Sequence, residues 1–261
     1  MNNPQLRQFA VLGTIVATII FTVLVNTGLF NGQTTSEVTN KYPTFFTPAD
    51  YAFSIWGIIY LGLLAFGIYQ VLPSQQQYPR WRRLDYWVIL NCAATCAWLL
   101  LWSYELITLS VAAMLLMLLS LIAIHNLLEI GKTQVSPAET WLVRVPFSIY
   151  LGWITVTTIA NVAVAFSKLK WSGWGISPEV WAVLLTVASL GIVAMICLGF
   201  ADTAYTFGIV WAYVGIAVKY VNVSTVFRSS ILAALLAISW LLMGIWRQKH
   251  RSQKLDPTVT H

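Results

Sequence analysis

The segment from Lys41 to Leu72, KYPTFFTPADYAFSIWGIIYLGLLAFGIYQVL, passes from a polar loop with two prolines into a long apolar helix. Phe53, Trp56 and Tyr60 are spaced i, i+3, i+7, so their rings fall on one helix face. A helix that only crosses lipid needs apolar bulk and no such face. We therefore predict that this face forms one wall of a pocket beneath the loop. Interfacial anchoring is the alternative role for these aromatic residues.

The whole chain has the composition of an integral membrane protein. Of its 261 residues 58% are hydrophobic and 9% are charged, and the mean hydropathy is +0.73. About 20 apolar residues cross a bilayer as a helix. On this basis we predict an all-α protein with eight spans, near residues 8–30, 49–72, 85–103, 107–130, 142–166, 180–200, 203–221 and 229–247. The first apolar run is too long for a signal peptide, so we predict that it is retained.

The net charge of +6 does not indicate nucleic-acid binding, because the 15 Lys and Arg residues are scattered at helix ends. With both termini in the cytoplasm, five of them face outward and ten inward, as the positive-inside rule requires. We therefore predict a multi-pass protein of the plasma (inner) membrane with cytoplasmic termini. The lipid bilayer is its expected environment, and a homodimer is a further expected partner. The five outward residues are Lys41, Lys168, Lys170, Lys219 and Arg228.

Two more helices carry mixed polar and aromatic faces at helical spacing. On the third span the face consists of Asn91, Thr95, Trp98 and Trp102. On the fifth it consists of Tyr150, Trp153, Thr157 and Asn161. Together with the face at Trp56, these can enclose a flat and largely apolar cavity with a few hydrogen-bonding groups.

Some polar residues within the spans have two candidate roles. Asn91 needs a hydrogen-bond partner, which is either a neighbouring helix or a ligand. His125 is ionisable and lies near the predicted cytoplasmic end of the fourth span, where it either relays protons or contacts interfacial water. The three cysteines have no His and Cys partners at metal-ligand spacing, so we interpret them as packing residues and predict no metal site.

Three motifs resemble the TspO/MBR family, the tryptophan-rich sensory proteins related to the mitochondrial translocator protein. They are FTPADYAFSIWGIIYLGLL at 46–64, AWLLLWSYELITLS at 97–110 and VPFSIYLGWITVTTIANVAV at 145–164. The resemblance implies a TspO-like five-helix bundle at residues 1–168, followed by three additional C-terminal helices at 169–261 within the same membrane domain. It implies a pocket that the loop after the first helix covers, with Phe45, Phe46 and Pro48 as the hinge of this lid.

The resemblance also implies a ligand, because family members bind tetrapyrroles such as protoporphyrin and, in some cases, sterols. No cofactor is required. By motif, the ligand-binding positions correspond to Pro48, Phe53, Trp56, Tyr60, Trp98, Trp153, Thr157 and Asn161, and the helix faces add Thr95 and Tyr150. Two departures weaken the expectation. Thr95 stands where the family has Asn, and Val162 to Phe166 lack the aromatic and Arg residues that follow Asn161 in the family, so no sterol motif is carried over.

We therefore predict a ligand-binding or sensory membrane protein with a flat apolar ligand such as a porphyrin. A transporter of a tetrapyrrole or another small metabolite is the alternative, although internal repeats and central charges typical of transporters are not evident in the sequence. An enzyme is a third hypothesis, because the resemblance links the family to light-dependent porphyrin breakdown. No catalytic residues are predicted, since no hydrolytic triad or phosphate-binding loop is evident.

Overall fold

Long helices make up most of the chain. The structure, a computed structural model, describes residues 4–75 and 81–255. The long helices are α1 (Pro4–Asn26), α3 (Ile55–Val71), α4 (Trp81–Ser103), α5 (Ile107–Leu127), α7 (Val145–Lys168), α8 (Pro178–Phe200), α9 (Thr203–Lys219) and α10 (Ser224–Leu255). Two short helices, α2 (Thr35–Lys41) and α6 (Pro137–Glu139), lie between them. The prediction of an all-α membrane protein, with five helices followed by three more, is confirmed.

Seven helices within the described residues are long and apolar enough to cross a membrane. Residues 203–221, the seventh predicted span, form α9, whose 17 residues lie between Asp202, beside His125, and Tyr220, beside Thr44. At about 1.5 Å per residue, α9 is a few ångströms shorter than a hydrocarbon core of about 30 Å. Tyr205, Ile209 and Tyr213 of α9 are buried against other helices. The apolar sequence of α9 therefore reflects the protein core as well as the membrane.

The long polar connection after α1 contains a helix that the sequence analysis did not predict. Thr34 caps α2, because its hydroxyl accepts a hydrogen bond from the amide of Glu37 at 3.2 Å. The Glu37 carboxylate in turn accepts from the amide of Thr34 at 2.7 Å. This reciprocal pair is a capping box, so the T-x-x-E pattern in the sequence was the signal that could have predicted α2.

Helix α7 begins irregularly. A π-helical turn at Thr140–Arg144 joins α6 to α7, and Pro146 is the second residue of α7, directly after this turn. Ile55 begins α3 after a 3-10 turn at Asp50–Ser54. This turn places Phe53 just ahead of the regular helix.

The C-terminal helices share a core with the first five. α7 and α9 cross with their backbones in contact at Gly152 and Gly208, where an added Cβ would lie 2.3 Å from the Tyr205 carbonyl oxygen and 2.6 Å from that of Ile149, respectively. Only residues without a side chain permit this approach. Trp153, the next residue on α7, thereby packs in one continuous hydrophobic core with Tyr205 and Tyr213 of α9.

Candidate functional site

Four stacked rings run between α3 and α4. Tyr60 and Trp56 stack with ring centroids 5.4 Å apart, Trp56 and Trp98 are 6.4 Å apart, and Trp98 and Trp102 are 5.5 Å apart. The interplanar angles are 22°, 28° and 28°. We call this set the aromatic column. Because helical spacing places one ring on each turn, two helices are sufficient to build it.

Hydrogen bonds fix the two indoles of α4. The Nε1 of Trp98 donates to Oδ1 of Asn161 on α7 at 2.8 Å. Asn161 in turn donates from Nδ2 to the Ser110 hydroxyl on α5 at 3.0 Å. The Nε1 of Trp102 donates to the carbonyl oxygen of Thr35 on α2 at 3.1 Å. The column is therefore tied to α5, to α7 and to α2. Helix α2 belongs to the connection between α1 and α3, which we call the covering loop.

A cavity, which we call the aromatic pocket, opens beside the column. Seven of the ten predicted ligand-binding residues line it: Pro48, Phe53, Trp56, Trp98, Trp153, Thr157 and Asn161. Phe53 meets the Trp153 ring edge-on at 5.9 Å. The pocket residues that were not among the ten are Thr39, Thr47, Trp102, Met114, Ala160 and Val164. Trp102 could have been included among the predicted site residues, since it belongs to the predicted polar and aromatic face of α4.

The other three predicted residues lie next to the pocket instead of lining it. Tyr150 meets the Trp56 ring edge-on at 5.5 Å, and its hydroxyl is 2.9 Å from that of Thr95. The Tyr60 hydroxyl is 2.8 Å from that of Thr22 on α1. Each of these hydroxyls has a partner within the protein. Tyr60 and Tyr150 therefore pack against Trp56, and Thr95 holds Tyr150.

The aromatic pocket has little free volume, because its own side chains almost fill it. The space inside it that a water-sized molecule can reach is about 30 Å³, which equals one water's share of liquid volume. Pockets for small molecules usually measure about 300–1,000 Å³. A ligand of that size can enter only if residues that line the pocket move apart.

The covering loop is fastened at Glu105, in the turn between α4 and α5. Its carboxylate accepts from Lys41 Nζ at 2.7 Å and from the Tyr42 hydroxyl at 2.5 Å. These hydrogen bonds lower the pKa of Glu105 to about 2. Burial and the Glu105 contact raise the pKa of Tyr42 to about 12. Lys168 at the end of α7 also donates to the Glu105 carbonyl oxygen, so the loop, α4 and α7 meet at this turn.

The predicted hinge residues are also placed. Phe46 is fully buried, while Phe45 is partly buried and packs edge-on against Tyr220 at 5.3 Å. Pro48 lies beside Gly215 of α9, where an added Cβ would be 3.0 Å from the Pro48 Cβ. The loop thus rests on α9 as well as over the pocket.

The remaining polar residues of the spans connect helices. Asn91 donates to the Ser120 hydroxyl at 2.8 Å and to the Met117 carbonyl oxygen at 3.2 Å, so it links α4 to α5. His125 lies 3.2 Å from Asp202, whose carboxylate also accepts from the Ser148 hydroxyl at 2.6 Å. Asp202 thereby joins α5 and α7 to the start of α9.

The chain belongs to a family of integral membrane proteins. A family profile described as TSPO-like protein matches residues 8–253, which is nearly the whole chain. The protein is therefore a member of the TSPO-like family, and the resemblance seen in the three motifs is confirmed. No curated protein and no solved structure matches the chain.

Proposed function

We propose that this protein binds a flat, largely apolar small molecule such as a porphyrin at the aromatic pocket, as a ligand-binding or sensory protein of the membrane. The observation that supports the proposal most strongly is the aromatic column. Its rings are near-parallel, Trp98 and Trp102 are buried, and the indole of Trp98 is held in place by Asn161. A planar ligand can stack on such rings and gain about 0.5–1.5 kcal/mol per aromatic contact beyond burial.

Because the aromatic pocket has little free volume, it must open before a ligand can bind. Trp56 is partly buried and is held by ring contacts alone among the described interactions. The indole nitrogens of Trp98 and Trp102, in contrast, have hydrogen-bond acceptors in other helices. Trp56 is therefore the ring of the column that moves at least cost when a ligand enters.

Titration of the purified protein in lipid nanodiscs with protoporphyrin tests the proposal. Binding is followed by porphyrin absorbance, because the variants themselves change tryptophan fluorescence. We expect Trp56→Ala and Trp153→Ala to weaken binding about tenfold, since one lost aromatic contact corresponds to about 1.4 kcal/mol. Trp141→Ala and Trp246→Ala are matched controls, because both indoles are mostly exposed. Unchanged affinity in both pocket variants would show that the ligand binds elsewhere.

The sidedness of the protein is part of the proposal. We propose a plasma-membrane location with both termini in the cytoplasm, supported by the grouping of charges. Lys41 and Lys168 gather around Glu105 at one end of the bundle, while Lys132 lies over the Phe200 ring at the end of α8. An impermeant maleimide should label Lys170→Cys but not Lys132→Cys in intact cells. The reverse pattern would place the termini outside.

Transport of the ligand remains the alternative prediction, and the homodimer remains an untested one. Within residues 4–75 and 81–255, the only π-helical turn is at Thr140–Arg144, near the start of a span rather than at its centre. Discontinuous helices at the membrane centre are typical of many transporters. Flux of protoporphyrin into liposomes above that of empty vesicles would favour transport.

A further inference from the structure

A second cavity lies on the other side of α7 from the aromatic pocket. It is bounded by the covering loop, the end of α7, the connection to α8 and the first turns of α8, and it measures about 550 Å³. We call it the outer chamber. Its aromatic lining residues are Phe45, Phe46, Phe166, Trp171, Trp174 and Trp181. Unlike the aromatic pocket, it already has the volume of a small-molecule site.

Three tryptophans form one wall of the outer chamber. The Trp171 ring lies 5.0 Å from that of Trp181 and 5.1 Å from that of Trp174, and 4.8 Å from the Phe166 ring on α7. Trp181 is anchored, because its Nε1 donates to the Gly173 carbonyl oxygen at 3.0 Å. Trp174 is 77% exposed and lies at the rim. Such a wall favours an occupant with aromatic faces of its own.

A thin partition separates the chamber from the pocket. Phe46 lines the chamber, whereas the next two residues, Thr47 and Pro48, line the pocket. On α7, likewise, Ala163 faces the chamber and Val164 faces the pocket. The two cavities are therefore divided by α7 and by one short segment of the covering loop.

Noncovalent contacts from the end of α9 hold this segment in place. The Tyr220 hydroxyl donates to the Thr44 carbonyl oxygen and lies 3.0 Å from the Thr47 hydroxyl. Lys219 donates to the Thr47 hydroxyl at 3.2 Å. Ser167 also donates to the Pro43 carbonyl oxygen at 3.2 Å, and the Ala49 amide donates to the Gly215 carbonyl oxygen at 3.0 Å. Carrying the buried Phe46 out of the partition therefore requires that some of these noncovalent contacts break, but it requires no change in the helices.

We propose that the outer chamber is a second binding site for flat polycyclic aromatic molecules and the vestibule through which they reach the aromatic pocket past Phe46. The second half of this proposal rests on the proposed function of the pocket. The ligand first occupies the preformed chamber and then the pocket, which must open. Binding therefore occurs in two steps with different rates.

Stopped-flow mixing with protoporphyrin, using the protein in nanodiscs, tests this order. Wild type should bind two porphyrins per chain, in a fast and a slow phase. Ala163→Phe fills the chamber, so it should remove the fast phase, halve the stoichiometry and slow the second phase at least tenfold. Ala112→Phe makes the same change on an exposed position of α5 and should behave as wild type. Trp171→Ala, which removes a wall of the chamber, should weaken the fast phase severalfold.

The outcomes separate the two proposals. If Ala163→Phe and Trp171→Ala leave both phases unchanged, the chamber is not a binding site. If Trp56→Ala leaves the slow phase intact but Ala163→Phe removes the fast one, the chamber binds the ligand and the proposed pocket is wrong. Absence of porphyrin binding overturns both. A lipid in the chamber is tested in nanodiscs with brominated acyl chains, which quench tryptophan fluorescence on contact. If Ala163→Phe relieves the quenching and protoporphyrin does not, the chamber is a lipid site and the inference is overturned.

Discussion

Trp98 and Asn161 are joined across the bundle by a hydrogen bond of 2.8 Å, and both side chains are buried. The bond links α4 to α7 and sets the plane of one ring of the aromatic column. Ser110 on α5 completes the group by accepting from Asn161. Three helices of the five-helix unit therefore meet at one polar contact inside an apolar core.

Trp98→Phe should lower stability by about 1 kcal/mol, because the buried Oδ1 of Asn161 loses its indole donor. The free energy of unfolding in nanodiscs measures the effect. Trp246→Phe, at an exposed indole on α10, is the matched control and should change stability by less than about 0.5 kcal/mol. Equal losses in the two variants would contradict the role given to this bond.

Gly208→Ala should destabilise the protein by about 1–3 kcal/mol, as overpacking does in a filled core. The new Cβ would lie 2.6 Å from the Ile149 carbonyl oxygen and 2.9 Å from the Trp153 amide nitrogen, and neither backbone atom can move aside easily. Gly57→Ala is the control, because no atom lies within 4 Å of its added Cβ. It should be neutral or slightly stabilising. Thermal unfolding distinguishes the two variants, and a neutral Gly208→Ala would exclude the close crossing.

Glu105→Gln should lower the unfolding temperature by about 1–3 °C at pH 7. The folded-state pKa of Glu105 is lowered from 4.5 to about 2, so its contribution is complete above pH 4.5 and is lost as the pH falls toward 2. The difference between wild type and variant should therefore shrink across this window. A difference that stays constant from pH 7 to pH 2.5 would show that the charge is not the cause.

Asp202→Ala should cost about 2–4 kcal/mol, because it removes both the cap of α9 and the acceptor shared by Ser148 and His125. Asp202→Asn retains the capping oxygen, since Asn caps helices as well as Asp does. Its loss should be the smaller of the two. Chemical unfolding of both variants provides the comparison, and equal losses would mean that only the contacts to Ser148 and His125 matter.

The helices and the aromatic faces were predictable from the sequence because both depend on local spacing. Apolar runs placed the long helices, and the spacing of Trp56, Trp98 and Trp153 on their own helices indicated which sides would meet. The pocket around these three rings then follows from packing α3, α4 and α7 together. That these three rings bind a ligand remains a prediction.

Other features depend on contacts between distant segments, which no local pattern contains. The short length of α9 became visible only once its ends were set by Asp202 and Tyr220. The contact of Asp202 with His125 joins residues 77 positions apart. The nearly closed pocket depends on side-chain rotamers at Trp56 and its neighbours, which spacing does not determine. Helix α2 and the pocket residue Trp102 were missed despite a local signal.

The aromatic column has a consequence for selectivity. Because the rings already contact one another, an incoming molecule exchanges existing ring contacts for its own and gains only the difference. On the proposed binding mode, a saturated molecule of equal volume would separate the rings without replacing their face-to-face contacts, so it would bind more weakly than a flat aromatic molecule. The proposed binding mode thus implies that the pocket selects ligands by their aromatic surface more than by their size.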